Sequence, residues 1–426
     1  MLVTNPQQDM SATGKSFPEF RGLRNVAPLT LVGGLLVHGL VIAVWQRGFF
    51  PLIDVAIYRA GGMAVVNGIS LYAAPLVEGF WFTYTPFAGL VFVPLAFIPL
   101  AVVKIFAIAV NLCCTTLAAW MCWRQLGYRA DVTLGRIAVF SAGLLVWLEP
   151  VWTTVDLGQI NLVLLVLILA DIRCKDESCY KGMGVGIAAG VKLTPALFIL
   201  YLFITRRFRA AAVAVATFIG TVGIGLFALP DDTATYWSGA FFNAKRVGAV
   251  EVSSDQSLNG MLARLVETSA PSTWAWLLIA IPVGSIGMAV AALAHRQGRE
   301  LLAAALCGMT ATAVSPFSWS HHWVWFIPLT ICIADLALSE RSNRQFLLLA
   351  AVYLLAFNWL VRFPTPDSRL PPAAGLFFLN TWPWIEYVSR NVYILIYAVV
   401  LMISVVLMYG RSRQVSPRRL NSSVDN

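Results

Sequence analysis

Val102-Val-Lys-Ile-Phe-Ala-Ile-Ala-Val-Asn-Leu-Cys-Cys-Thr-Thr-Leu-Ala-Ala-Trp-Met-Cys-Trp123 carries a single charge, Lys104, in an otherwise apolar run. About 20 apolar residues in a helix cover the hydrocarbon of a bilayer. A continuous run of this kind has the length of a helical span, whereas a barrel strand is short and alternates. Outward from it, comparable runs occupy roughly 28–46, 134–150, 158–173, 182–204, 210–229, 273–294, 301–317, 322–338, 345–361 and 391–409. The stretch 84–100 is apolar but interrupted by Pro86, Pro94 and Pro99, which makes it a span or a re-entrant piece. Lys192 and Pro195 sit in the middle of 182–204, which reads as two half-helices meeting outside. Composition agrees: 59% of the 426 residues are hydrophobic and 12% charged, against about half and a quarter in soluble domains. The expected fold is an all-α polytopic membrane protein with about a dozen transmembrane helices.

The net charge of +9 points to orientation rather than to nucleic acid. Basic residues cluster between apolar runs: Lys15, Arg21 and Arg24; Arg206, Arg207 and Arg209; Arg411, Arg413, Arg418 and Arg419. Cytoplasmic loops keep such an excess of Lys and Arg. Both termini are therefore expected in the cytoplasm, as tails over 1–27 and 411–426 flanking one membrane domain over 28–410. The first helix, without a cleavage site, reads as a retained anchor. The cysteines, in apolar runs or a basic loop, read as reduced thiols. The first loop (47–83), 151–158, 230–272, 318–322 and 362–390 fall on the opposite side. There the unusual residues collect: Asp54, Arg59, Asp156, Gln159, Lys192, His321 and His322, among many Trp, Tyr and Pro.

In the first loop Asp54 precedes apolar residues at helical spacing, which predicts a short amphipathic helix at the interface. Its carboxylate suits a general base; equally, it suits the cap of the helix that follows. Asp156-Leu-Gly-Gln159-Ile-Asn161 reads as a loop and helix cap. Lys192 in an apolar stretch is either functional or snorkelling to the interface. In Ser315-Pro-Phe-Ser-Trp-Ser-His321-His322-Trp323, adjacent histidines point about 100° apart on a helix, so they are poorly placed to share one metal. One is expected to face a site while the other packs; anchoring in the aromatic belt is the alternative. Asp231-Asp232 after Pro230 reads as a turn. Gly182-Met-Gly-Val-Gly186 opens an apolar helix, where small residues serve packing rather than nucleotide binding. No metal or other cofactor is expected. A carboxylate, a lysine and two histidines on one face suit transfer of a group from a lipid phosphate to a hydroxyl.

At these residues the sequence resembles the polyprenol-phosphate-sugar-dependent glycosyltransferases of the GT-C superfamily, within them family 87, which includes mycobacterial α-mannosyltransferases. The matching elements are Asp54 with Tyr58-Arg59-Ala-Gly-Gly and Gly68…Leu71-Tyr72; Tyr84-Thr-Pro86-Phe87 with Phe92-Val-Pro94-Leu95; Gly158-Gln159-Ile-Asn161; Gly186…Lys192-Leu-Thr-Pro195; and Ser315 to His322. The resemblance implies a GT-C fold in a bacterial inner membrane, with short amphipathic helices in the first periplasmic loop and a periplasm-facing site. It implies inverting transfer of mannose from polyprenol-phosphate-mannose to a glycolipid acceptor, a phosphatidylinositol mannoside, in α-1,2 linkage. Carried over, Asp54 is the base; His322 or His321 and Lys192 contact the donor phosphate or the acceptor; Arg59, Tyr58 and Gln159 are further binding residues. Family members commonly have an acidic residue just before the two histidines, where this chain has Ser320. Trp237, Trp382 and Trp384 are expected to shape the acceptor groove. Alternatives within the class are lipomannan branching or arabinofuranosyl transfer; outside it, a transporter or lipid flippase, whose polar residues would line a path through the membrane.

Overall fold

The computed structural model describes residues 14–17, 22–45, 52–239, 246–357, 360–361, 373–374, 376 and 382–415. Most of the two expected tails and much of the 362–390 loop lie outside the described residues. The chain is helical almost throughout: α1 (Leu23–Trp45), α2 (Ile53–Val66), α3 (Pro86–Val91), α4 (Val93–Ala96), α5 (Leu100–Gln125), α6 (Val132–Leu145), α7 (Glu149–Leu157), α8 (Asn161–Arg173), α9 (Met183–Val191), α10 (Leu197–Ile204), α11 (Phe208–Ala228), α12 (Pro230–Ser238), α13 (Leu258–Leu265), α14 (Thr273–Arg296), α15 (Glu300–Val314), α16 (Phe326–Glu340), α17 (Asn343–Phe357), α18 (Pro383–Arg390) and α19 (Val392–Val415). Among the described residues the only sheet is a two-residue antiparallel pair, β1 (Leu360–Val361) with β2 (Ala373–Ala374).

Among the described residues three helices, α5, α11 and α14, are long and apolar enough to cross a bilayer. The count reaches five if α6 with α7, bent by 86°, and α18 with the start of α19, bent by 69°, each form one span. Other apolar runs make shorter helices: α15, with 15 residues, extends roughly 22 Å at 1.5 Å per residue. Large side chains on the outside are apolar; Phe227 is 93% exposed and Leu278 76%. Lipid solvates such side chains, while water would not. This is a helical membrane protein.

The interrupted stretch 84–100 forms α3 and α4, of six and four residues, too short to cross. Thr85 caps α3, with Pro86 in the first turn. The break expected in 182–204 is present. α9 stops at Val191, Lys192 is extended, and a 3-10 turn at Thr194–Ala196 leads into α10. Asp231-Asp232 is not a turn but the first turn of α12. Asp232 there accepts from Ser70 Oγ at 2.7 Å and from Leu71 N, so α12 clamps the end of the first loop. The small residues of α9 do pack: a Cβ on Gly186 would come within 2.6 Å of Ala214 O on α11, so the two helices approach closely.

Candidate active site

Asp54 lies in the first turn of α2, but it is not the helix cap. The N-cap is Leu52, whose backbone is left-handed (φ 62°), and no side chain caps α2. Leu52 N donates to Asp156 O at 2.7 Å, so the start of α2 is pinned to the end of α7. Between α7 and α8, Gly158 turns at φ 66°, and a Cβ there would lie 3.0 Å from Val55 Cβ. Glycine is needed twice over, for the angle and for the contact. This turn delivers Gln159 beside Asp54.

Gln159 Oε1 accepts from Tyr58 Oη at 2.5 Å and from Tyr84 Oη at 2.6 Å. Its oxygen being occupied, the amide NH2 is the donating end, and it lowers the pKa of Asp54 beside it. Tyr58 stacks on Phe92 with ring centroids 4.4 Å apart, and Tyr72 Oη donates to Tyr84 O. A buried aromatic shelf thereby fixes the amide.

Lys192 enters from the break after α9. Its Nζ donates to Asn161 Oδ1 at 2.9 Å and lies 2.9 Å from His322 Nε2. It turns inward, which excludes snorkelling. His322 Nδ1 meets Ser318 Oγ at 3.2 Å. The two histidines occupy a 3-10 turn, Ser320–His322, with ring planes at 89°. They divide the work as one that faces the site and one that packs: His322, partly exposed, meets Lys192 at the cavity, while His321 is buried, stacks near Trp319 and has Nε2 3.5 Å from Gln159 Nε2. The His321 carbonyl accepts from Asn161 Nδ2 at 2.9 Å and Thr154 Oγ1 at 3.2 Å.

The structure thus brings together Asp54, Tyr58, Gln159, Lys192, His321 and His322. Arg59 is directed elsewhere, with Nε donating to Ile98 O at 2.8 Å. Trp237 packs edge-on against Tyr236 and Phe218, whereas Trp382 and Trp384 are exposed. Sequence reasoning left Asn161 and Tyr84 without roles and passed over two buried acids behind the histidine turn. Asp255 Oδ1 accepts from Ser318 N at 2.9 Å, and Glu149 Oε1 accepts from Ser320 Oγ at 2.8 Å. Asp255 stands among polar residues that mark nothing, whereas Glu149 closes an apolar run, a costly place for an acid.

Asp54, Lys192 and His322 are each partly exposed, while Tyr58, Tyr84, Gln159, Asn161 and His321 are buried. The groups that can exchange protons with a ligand are therefore the accessible ones. Burial pushes the Asp54 carboxyl up to about 7, against the attraction of Lys192 and the Gln159 amide. A carboxylate titrating there accepts a proton effectively near neutral pH. Burial, with Lys192 alongside, pushes His322 well below the ordinary histidine range, so it is a neutral ring. An apolar cavity runs from Lys192 and His322 past Leu164, Ile168, Phe198 and Trp325.

Residues 82–316 match glycosyltransferase family 87; the stretch includes Tyr84, Gln159, Asn161 and Lys192, with Asp54 before it and the histidines after it. The chain is 31% identical over 335 residues, 75% of its length and 77% of the relative's, to a polyprenol-phosphate-mannose-dependent alpha-(1-2)-phosphatidylinositol mannoside mannosyltransferase of Mycobacterium tuberculosis. A protein of the same name from Mycolicibacterium smegmatis is 30% identical over 80% of this chain and 81% of its own. A Mycobacterium tuberculosis protein named for phosphatidylinositol pentamannoside is 30% identical over 74% of each chain. No solved structure matches.

Proposed function

The chain belongs to glycosyltransferase family 87, and on that premise we propose that this membrane glycosyltransferase moves mannose from polyprenol-phosphate-mannose to a lipid-linked mannoside. The acceptor is a phosphatidylinositol mannoside, the new linkage is α-1,2, and the site faces the periplasm from a single GT-C domain of about a dozen spans. The names of the relatives support the donor and the type of acceptor. The observation that carries the reading is the meeting of Asp54, Lys192 and His322, contributed by three separate parts of the chain, at one accessible point.

In this reaction the Asp54 carboxylate removes the proton from the acceptor's 2-hydroxyl. The oxygen forms a bond to the anomeric carbon from the face opposite the phosphate. The bond from that carbon to the phosphate oxygen breaks, and its electron pair leaves with the polyprenyl phosphate. One displacement turns a β-linked donor into an α-mannoside. Lys192 and His322 hold the phosphate and stabilise the charge that gathers there; the apolar cavity beside them takes the first part of the prenyl chain. Gln159, fixed by Tyr58 and Tyr84, orients Asp54. Both substrates are lipids and reach the site laterally.

The test is mannose transfer by purified protein supplied with polyprenol-phosphate-mannose and a phosphatidylinositol tetramannoside. Arabinofuranosyl donors and lipomannan-type acceptors, run in parallel, decide the sugar and the acceptor. Transfer only from another lipid-linked sugar would overturn the mannose assignment.

A further inference from the structure

Glu149 opens α7 at the bend that follows α6, and its side chain is buried, 4% exposed. Oε1 accepts from Thr153 Oγ1 at 2.7 Å and from Ser320 Oγ at 2.8 Å, and Oε2 accepts from Tyr393 Oη at 2.6 Å. One carboxylate therefore ties together α7, the histidine turn and the start of α19. Burying a carboxylate is costly, and joining three elements does not require one, because neutral hydroxyls or amides can do so. In its ionised form the carboxylate only accepts. The three hydroxyls around it then all donate, each in one direction.

At Ser320 that direction has consequences. Ser320 begins the 3-10 turn that ends in His322. The next residue's carbonyl, His321 O, is held by Thr154 Oγ1 of α7 and by Asn161 Nδ2. α7 thus grips the turn twice, through Glu149 at Ser320 and through Thr154 at His321. Asn161, the third grip, is also the residue that accepts from Lys192. The Lys192–His322 contact is set by how this turn is seated.

We propose that Glu149 is a positioning residue for the transfer reaction: through Ser320 it seats the turn so that His322 Nε2 meets Lys192 Nζ. The inference rests on the reading of those two groups as the donor-phosphate contacts. A misplacement of about 1 Å at a reacting centre costs on the order of a hundredfold in rate. Loss of one of the three grips is expected to cost about tenfold.

The experiment compares Ser320→Ala, Glu149→Gln, the double variant and Ser320→Thr. Transfer is measured per mole of folded enzyme, with donor and acceptor titrated separately and thermal unfolding followed in parallel. The expected result is a roughly tenfold lower kcat/KM for the donor in both single variants, with the acceptor KM unchanged. The double variant should be no worse than the weaker single, because the two residues act as one unit, and Ser320→Thr should recover activity. If Glu149→Gln does not fold, the Ser320 pair decides. Folded Ser320→Ala with wild-type donor kinetics, or variants that lose only stability, would overturn the inference. Asp54→Asn and His322→Ala serve as controls: full activity in those would show instead that the reading of the site itself had failed.

Discussion

Lys192 Nζ and His322 Nε2 lie 2.9 Å apart across 130 residues of sequence. An ammonium can only donate, so Nε2 accepts and the ring proton sits on Nδ1, facing Ser318 Oγ at 3.2 Å. With Lys192 protonated the pair presents one cation backed by a neutral ring; burial lowers that ammonium to about 7, and the nearby Asp54 carboxylate acts against the lowering. Such a cation suits the phosphate of a leaving polyprenyl group, which gains charge as its bond to the sugar breaks.

Removing the cation should weaken the leaving-group contact. Lys192→Met is expected to lower kcat/KM for the donor by about 10- to 100-fold, the scale of one hydrogen bond to a charged group, ~1.5–3 kcal/mol. Lys192→Arg should recover part of it. Steady-state kinetics with varied donor checks this, and a change confined to the acceptor KM would contradict it.

The pH profile follows from Asp54. Its carboxyl is raised to about 7, and a base works only when deprotonated, so kcat/KM should climb as pH rises towards about 7; above that it should fall again, because burial lowers the Lys192 ammonium to about 7 as well and the cation on the leaving phosphate is lost. Below that pH, the proton already on Asp54 blocks its removal of another. A profile flat from pH 5 to 8 would contradict the assignment.

Arg59 provides a contrast. Its guanidinium donates to the carbonyls of Ile98 and Ala96 around the end of α4, so Arg59→Ala should cost stability, about 1–3 kcal/mol for the carbonyls left unpaired. Turnover per folded molecule should change little. Parallel unfolding and activity assays distinguish this from a substrate contact.

Gly158→Ala tests the turn that delivers Gln159. Left-handed backbone at this position (φ 66°) and a Cβ 3.0 Å from Val55 predict a loss of at least ~1–2 kcal/mol, the cost of an L-residue in that region. Activity should fall with it, because Gln159 moves relative to Asp54. A stable variant with full turnover would contradict this.

The helical membrane class was legible because lipid-facing helices need long apolar runs. The break at Lys192 was legible because Pro195 and an unpaired cation cannot continue a helix in hydrocarbon. Which helices are long enough to span was not: α8 and α15 are largely apolar, yet they extend for only 13 and 15 residues. The first-turn position of Asp54, rather than a cap, depends on Leu52 adopting a left-handed backbone against Asp156 O, which no local pattern announces. The site residues were named from their motifs, yet their pairing, Gln159 with Asp54 and Lys192 with His322, arises only when distant segments fold together. Glu149 was the most recoverable omission: an acid following an apolar run is costly enough in a membrane protein to imply partners. Asp255 sits among polar residues and gave no such signal. Arg59 was adjacent to Tyr58 in the motif, but neighbours on a helix face different directions.

The most direct measurement is mannose transfer from polyprenol-phosphate-mannose to a phosphatidylinositol tetramannoside by the purified protein and by Asp54→Asn. Wild-type transfer, with a loss of about 10²- to 10⁴-fold in a normally folded variant, the range for a general base, is the predicted result. A fully active Asp54→Asn would contradict the central claim.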